Sequence, residues 1–158
     1  MATIAAIPNL GRSVREFPIN LSSIPTFVQG SLVSLTAGNL VTSGANPTAI
    51  VGFAAGPATV PDVDVNPGRR LAFVAAPEST FWMEVRGTAG AVVDVTTLNA
   101  GAQYGVTHDA DAIAFVDTTK TSAALQRVVI ERIDEVRNMV EVRILPQYRV
   151  FPTAANVT

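Results

Sequence analysis

The densest group of side chains capable of chemistry is His108-Asp109-Ala110-Asp111. An imidazole beside two carboxylates could move protons or hold a divalent cation. His108 is the sole histidine, so any base-assisted serine would depend on it, and nothing near it in the sequence supports that role. The group reads instead as a polar turn between two apolar runs. A second pair, Asp62 and Asp64, stands in the proline-rich stretch 56–68. A calcium loop needs further oxygen ligands and a tight glycine turn, and the EF-hand pattern is missing. The stretches GTAG and GANP lack the lysine and the strand-to-helix setting of a phosphate loop, and no G-x-S-x-G occurs. The chain has no cysteine, which excludes disulfides, thiolate metal sites and thiol catalysis. The expectation is a protein that is not an enzyme and has no cofactor, catalytic residue or metal site. Ion binding by the Asp62/Asp64 loop is left open.

Recognition chemistry is better represented. In residues 81–86 (FWMEVR), Phe81, Met83 and Val85 fall on one face of a strand and Trp82, Glu84 and Arg86 on the other. A tryptophan on a polar face is a candidate interface anchor. The alternatives are a strand buried on both faces, or a ring covered by Arg86. Ten of the eleven basic residues are arginine, which suits lasting planar contacts. Arg12 and Arg15 lie near the start, and Arg69 and Arg70 follow a Pro-Gly turn. They are either solvated or partners for an acidic surface.

The elements that position these groups read as strands. Val140, Val142 and Ile144 alternate with Glu141 and Arg143, the period of a half-buried strand. Residues 128–133 (VVIERI) form the other arm of a hairpin, joined through 134–138 (DEVRN). Glu131, Arg132, Glu141 and Arg143 are expected to make cross-strand pairs of small weight. Residues 104–109 and 113–118 precede this block. Residues 31–35 and 40–42 flank a turn at 36–39. Residues 49–54 (AIVGFA) are continuously apolar, with Gly52 marking a bend or a close backbone approach. Residues 71–75 and 81–86 complete the strands, and residues 91–96 lead to the C-terminal block. A brief helix could form only at 119–126.

The pattern predicts an all-β chain: a small β-barrel or sandwich of short antiparallel strands over 30–150. The expected core is Val33, Leu35, Val51, Phe53, Leu71, Phe73, Phe81, Met83, Val85, Phe115, Val128, Ile130, Val140, Val142 and Ile144. Residues 151–158 form a tail and residues 1–29 an extended N-terminal arm. Pro8, Pro18 and Pro25 favour extended backbone before them. Ile7, Leu10, Phe17, Ile19, Leu21, Ile24 and Phe27 are apolar without a clean period. Such an arm is expected to be mobile alone and to order against a partner; an arm folded over its own domain is the alternative.

Composition narrows the partners. The chain has 158 residues, 48% hydrophobic and only 15% charged. So few charges point to surfaces that become covered. The net charge of −2 gives no electrostatic reason to bind nucleic acid. No apolar run approaches the length of a membrane helix, and the first ten residues lack the basic start and apolar core of a secretion signal.

Three stretches resemble the capsid decoration, or cement, proteins of tailed bacteriophages. They are 27–42 (FVQGSLVSLTAGNLVT), 46–54 (NPTAIVGFA), and 101–117 (GAQYGVTHDADAIAFVD) followed by the 127–145 hairpin. The resemblance implies a small β-barrel on the outside of an icosahedral head, bridging neighbouring major capsid subunits. It implies a homo-oligomer, with a trimer favoured and a dimer possible, made in the host cytoplasm and located on the virion surface. Read in that light, Leu10, Arg12, Arg15, Phe17, Ile19, Leu21, Arg69, Arg70 and Trp82 are the expected contacts with capsid or sister protomer. The alternative is a ligand- or receptor-binding β module of a phage tail, which asks for an exposed aromatic platform.

Overall fold

The structure, a computed structural model, describes residues 5–10, 13–59 and 67–151. Arg12, Asp62, Asp64 and the tail 152–158 lie outside the described residues, as do the side chains of residues 8–10, Leu10 among them. The described chain is all-β. Its strands are β1 (Ile7–Leu10), β2 (Val14–Pro18), β3 (Leu32–Thr36), β4 (Asn39–Thr42), β5 (Ile50–Ala54) and β6 (Arg69–Val74). They continue with β7 (Thr80–Met83), β8 (Val85–Arg86), β9 (Gln103–His108), β10 (Ala114–Asp117), β11 (Val128–Asp134) and β12 (Met139–Ile144). Short 3₁₀ turns occur at Thr88–Gly90, Val95–Thr97 and Pro146–Tyr148. The brief helix considered at 119–126 does not form; that stretch is a run of turns.

The strands make a small sandwich. One sheet runs β1-β7-β12-β11-β9-β10-β8 and the other β2-β6-β5-β3-β4. All these pairs are antiparallel except β8 with β10. The sheets are not closed into a barrel. The larger one curls strongly, because β8 continues from β7 through Glu84 alone and pairs with β10 at the far edge. Between the sheets lie Leu32, Ile50 and Phe53 from one side. Phe81, Met83, Val128, Ile130, Val140, Val142 and Ile144 face them from the other. Phe53 and Phe81 meet across the gap with ring centroids 4.7 Å apart.

The smaller sheet is buried on its other face as well. Val33, Val51, Ala54, Ala72 and Val74 pack there against Phe17, Ile19, Phe27 and Ala58, with Leu35, Val150 and Phe151 at the margin. This explains the unbroken apolar run of β5, whose five residues are all buried. Gly52 has φ 151°, and a Cβ there would overlap the Phe73 carbonyl, so the close approach expected at this glycine is real. Burial on both faces also changes the expected phase of β6. Arg70, Ala72 and Val74 are buried, whereas Leu71 and Phe73 are partly exposed. Leu35 is likewise only partly buried. The other expected core residues are buried.

The largest correction concerns residues 1–29, which the sequence pattern reads as an arm without a core strand. β1 forms an edge of the larger sheet and β2 an edge of the smaller. Ala6 enters the inter-sheet core, while Phe17, Ile19 and Phe27 build the outer one. Both strands carry a proline, Pro8 and Pro18, as edge positions allow. The described part of the arm therefore folds over its own domain, the alternative to an arm awaiting a partner.

Candidate interaction surface

The 108–111 group is a hairpin loop. Asp109 Oδ1 accepts from the N–H groups of Asp111 and Ile113, both at 2.9 Å, closing the turn between β9 and β10. His108 faces the other way: its Nε2 accepts the Leu32 N–H at 3.0 Å. That bond requires an unprotonated Nε2 and ties β9 to β3 across the two sheets. Burial pushes the His108 pKa below 6.5, with nearby Asp109 opposing and Lys120 assisting. At the far end of β10, burial resists ionisation of Asp117, but Thr119, Thr107 and Lys120 outweigh this and hold the carboxyl below the ordinary range. No group of three or more His, Asp or Glu side chains suited to a metal occurs among the described residues.

The expected contact residues divide into inward and outward sets. Phe17 and Ile19 point into the outer core. Arg15 lies 5.7 Å from the Phe17 ring and 5.0 Å from that of Phe151, covering the core's margin. Arg70 is buried and donates to the carbonyls of Ala58, Pro67 and Arg69, so it braces a loop from inside. Arg69 and Leu21 are exposed. Leu21 sits in a turn fixed by Asn20, whose Oδ1 accepts from Ser22 N–H at 2.9 Å. Ile24 follows it on the surface, and Ile7 and Val14 are exposed on β1 and β2.

Trp82 is half-buried on the outer face of the larger sheet. Register places Ile7, Trp82, Glu141 and Arg132 in one row across β1, β7, β12 and β11. Arg137 and Arg132 stand 4.5 and 5.5 Å from the ring. Arg86 does not cover it; that side chain pairs with Glu84 at 3.1 Å and stands over Phe115. The expected cross-strand pairs form, Arg132 with Glu141 and Arg143 with Glu131. A bulge after Ile130 turns both Glu131 and Arg132 outward. Glu141, expected on a solvated face, is buried and also accepts from Thr80 Oγ1 at 2.6 Å.

Sequence reasoning misses two arginines with inward heads. Arg127 donates to the carbonyls of Pro47, Ala124 and Gln126 and lies 4.0 Å from the Tyr148 ring. Arg149 buries Nε and Nη1 without a hydrogen-bond partner among the described residues. Burial lowers its pKa, with Arg143 adding to the effect and Glu78 opposing it. Neither position carries a signal in a single sequence, because the Pro47 carbonyl that turns Arg127 inward and the Glu78 carboxylate near Arg149 are distant in the chain.

No protein-family model matches the chain, and neither does any curated protein or solved structure.

Proposed function

We propose that this chain is a capsid decoration protein: a structural component that binds the outside of an icosahedral phage head and adds contacts between major capsid subunits. The sequence resemblance supports the reading, and its three stretches coincide with β3–β4, β5 and β9–β12. The observation that carries it is the placement of exposed apolar side chains. Four of the six large hydrophobics that remain exposed among the described residues, Ile7, Val14, Leu21 and Ile24, belong to residues 7–24. Leu21 and Ile24 are held between the buried anchors Ile19 and Phe27. An apolar display on a fixed turn is suited to docking, because little ordering remains to be done on binding.

The test is co-sedimentation with heads that lack the protein, comparing the wild type with Leu21→Ser/Ile24→Ser. Saturable wild-type binding at a fixed ratio to capsid subunits, weakened about tenfold or more in the variant, is expected. Absence of wild-type binding overturns the reading. Point variants are required, since deleting residues 1–26 would also remove Phe17 and Ile19 from the outer core.

A further inference from the structure

The β9–β10 hairpin is tied to the smaller sheet by two sets of polar contacts that differ in kind. Its tip meets the strip 30–32. There Leu32 N–H donates to His108 Nε2 at 3.0 Å, Ala114 N–H to Gly30 O at 3.2 Å, and Ser31 Oγ to the Ala112 carbonyl. Its base is held through cations. Lys120 Nζ donates to Ala45 O at 2.9 Å and Arg127 Nε to Pro47 O at 2.6 Å, both in the loop between β4 and β5.

Acid acts on these two sets differently. Lys120 and Arg127 are donors to carbonyls and keep their protons as pH falls. His108 is an acceptor, and an imidazolium has donors only. A proton on Nε2 would therefore set two N–H groups against each other at the Leu32 contact. The charged groups acting on His108 are Asp109, which favours the proton, and Lys120, which opposes it; Asp111 is exposed in the same turn. The facing strip 28–36 has no titratable side chain, and neither do residues 5–7, whose first two members lie against Gly30. The imidazole is thus the one group at this contact whose ordinary titration falls near neutral pH.

We propose that His108 is a proton-operated latch: its protonation frees the hairpin tip 109–113 from the smaller sheet while Lys120 and Arg127 hold the base. The opening uncovers Leu32 and Ala114, both members of the inter-sheet core, in a chain that is otherwise folded. The open tip takes up the proton at the ordinary imidazole pKa and the latched one below it, so falling pH favours opening. The latch does not depend on the decoration reading.

The experiment is amide hydrogen exchange between about pH 8 and 5, read as protection factors for wild type and His108→Gln. Two amides report the tip, Leu32 and Ala114, and two the base, Arg127 and Leu145, which donate to Tyr104 O and Arg127 O. In the wild type, tip protection should fall by up to about tenfold per pH unit below 6.5 while base protection holds. In His108→Gln, which offers an acceptor without titrating, tip protection should stay flat. Equal loss at tip and base overturns the latch in favour of a general acid effect. A flat wild-type tip overturns it as well. A variant whose tip follows the wild type assigns the effect to another group and also overturns it. The wild-type profile decides even where the variant does not fold.

Discussion

The two cores of this molecule are built differently. The inter-sheet core is enclosed by strands on both sides, and β11 and β12 supply much of it through alternating residues. The outer core has a sheet on one side only. Its other wall comes from Ile19, Phe27 and Ala58, which lie outside regular strands, while Phe17 joins it from β2, the sheet's own edge. The smaller sheet serves both, sending Leu32, Ile50 and Phe53 one way and Val33, Val51 and Ala54 the other. A wall of irregular chain holds its place only against a sheet already formed, so the outer core should open first.

That comparison can be broken by truncating one aromatic in each core. Phe53→Ala should cost about 3–5 kcal/mol and lower the whole denaturant transition, since Phe53 meets Phe81 between the sheets. Phe17→Ala should cost less, about 3 kcal/mol, because its site lies at the margin beside Arg15 and Phe151. Hydrogen exchange should then show faster opening of β2 and residues 19–27, with β11 and β12 still protected. Uniform loss of protection in Phe17→Ala would mean that the two cores are one cooperative unit.

The same contrast governs what is legible in the sequence. The β11–β12 hairpin is readable because its inner positions are apolar and most of its outer ones charged. The turn at 134–138 is equally plain. Residues 5–27 are not readable as strands, because β1 and β2 are short, carry proline and join through irregular chain. Their apolar residues answer to a surface made by β3, β5 and β6, which no local period records. Glu141 is misplaced for a related reason: alternation assigns it to the outer face, but Thr80 and Arg132 enclose it there. Among the contact residues, Trp82 and Leu21 do lie on the surface side, whereas Phe17, Ile19 and Arg70 have internal roles.

The outer margin offers a gain. Next to Val150, which borders the outer core, Arg149 keeps two buried N–H-bearing nitrogens without a partner among the described residues. Arg149→Met should raise stability by about 1 kcal/mol, read as a higher denaturation midpoint with an unchanged slope. A lower midpoint would show that the guanidinium is satisfied in solution.

The seam between the sheets should respond to pH. His108 has a folded pKa below its ordinary 6.5, so the unfolded chain takes up the proton first. The stability it contributes is complete above 6.5 and is lost as pH falls from there toward the folded pKa. The lowered pKa of Asp117 acts in the same direction but in a separate window, below 3.8. His108→Gln keeps an acceptor for Leu32 N–H without titrating. Its melting temperature should fall less than that of the wild type just below pH 6.5, and parallel curves would exclude His108 as the source.

The smallest effect sharpens the description of the smaller sheet alone. Thr36 and Asn39 pair directly, leaving Ala37 and Gly38 as a two-residue turn with φ 49° and 81°. Two positive values mark a type I′ turn, which suits the twist of a hairpin but crowds the Cβ of alanine. Ala37→Gly removes that crowding while adding freedom to the unfolded chain, and these partly cancel. Ala37→Asn accepts the left-handed backbone without adding that freedom. Asn should therefore stabilise by about 0.5–1 kcal/mol and Gly by less, both visible as shifts in the denaturation midpoint. Stabilisation in the reverse order would show that backbone strain at residue 37 outweighs the unfolded-state entropy.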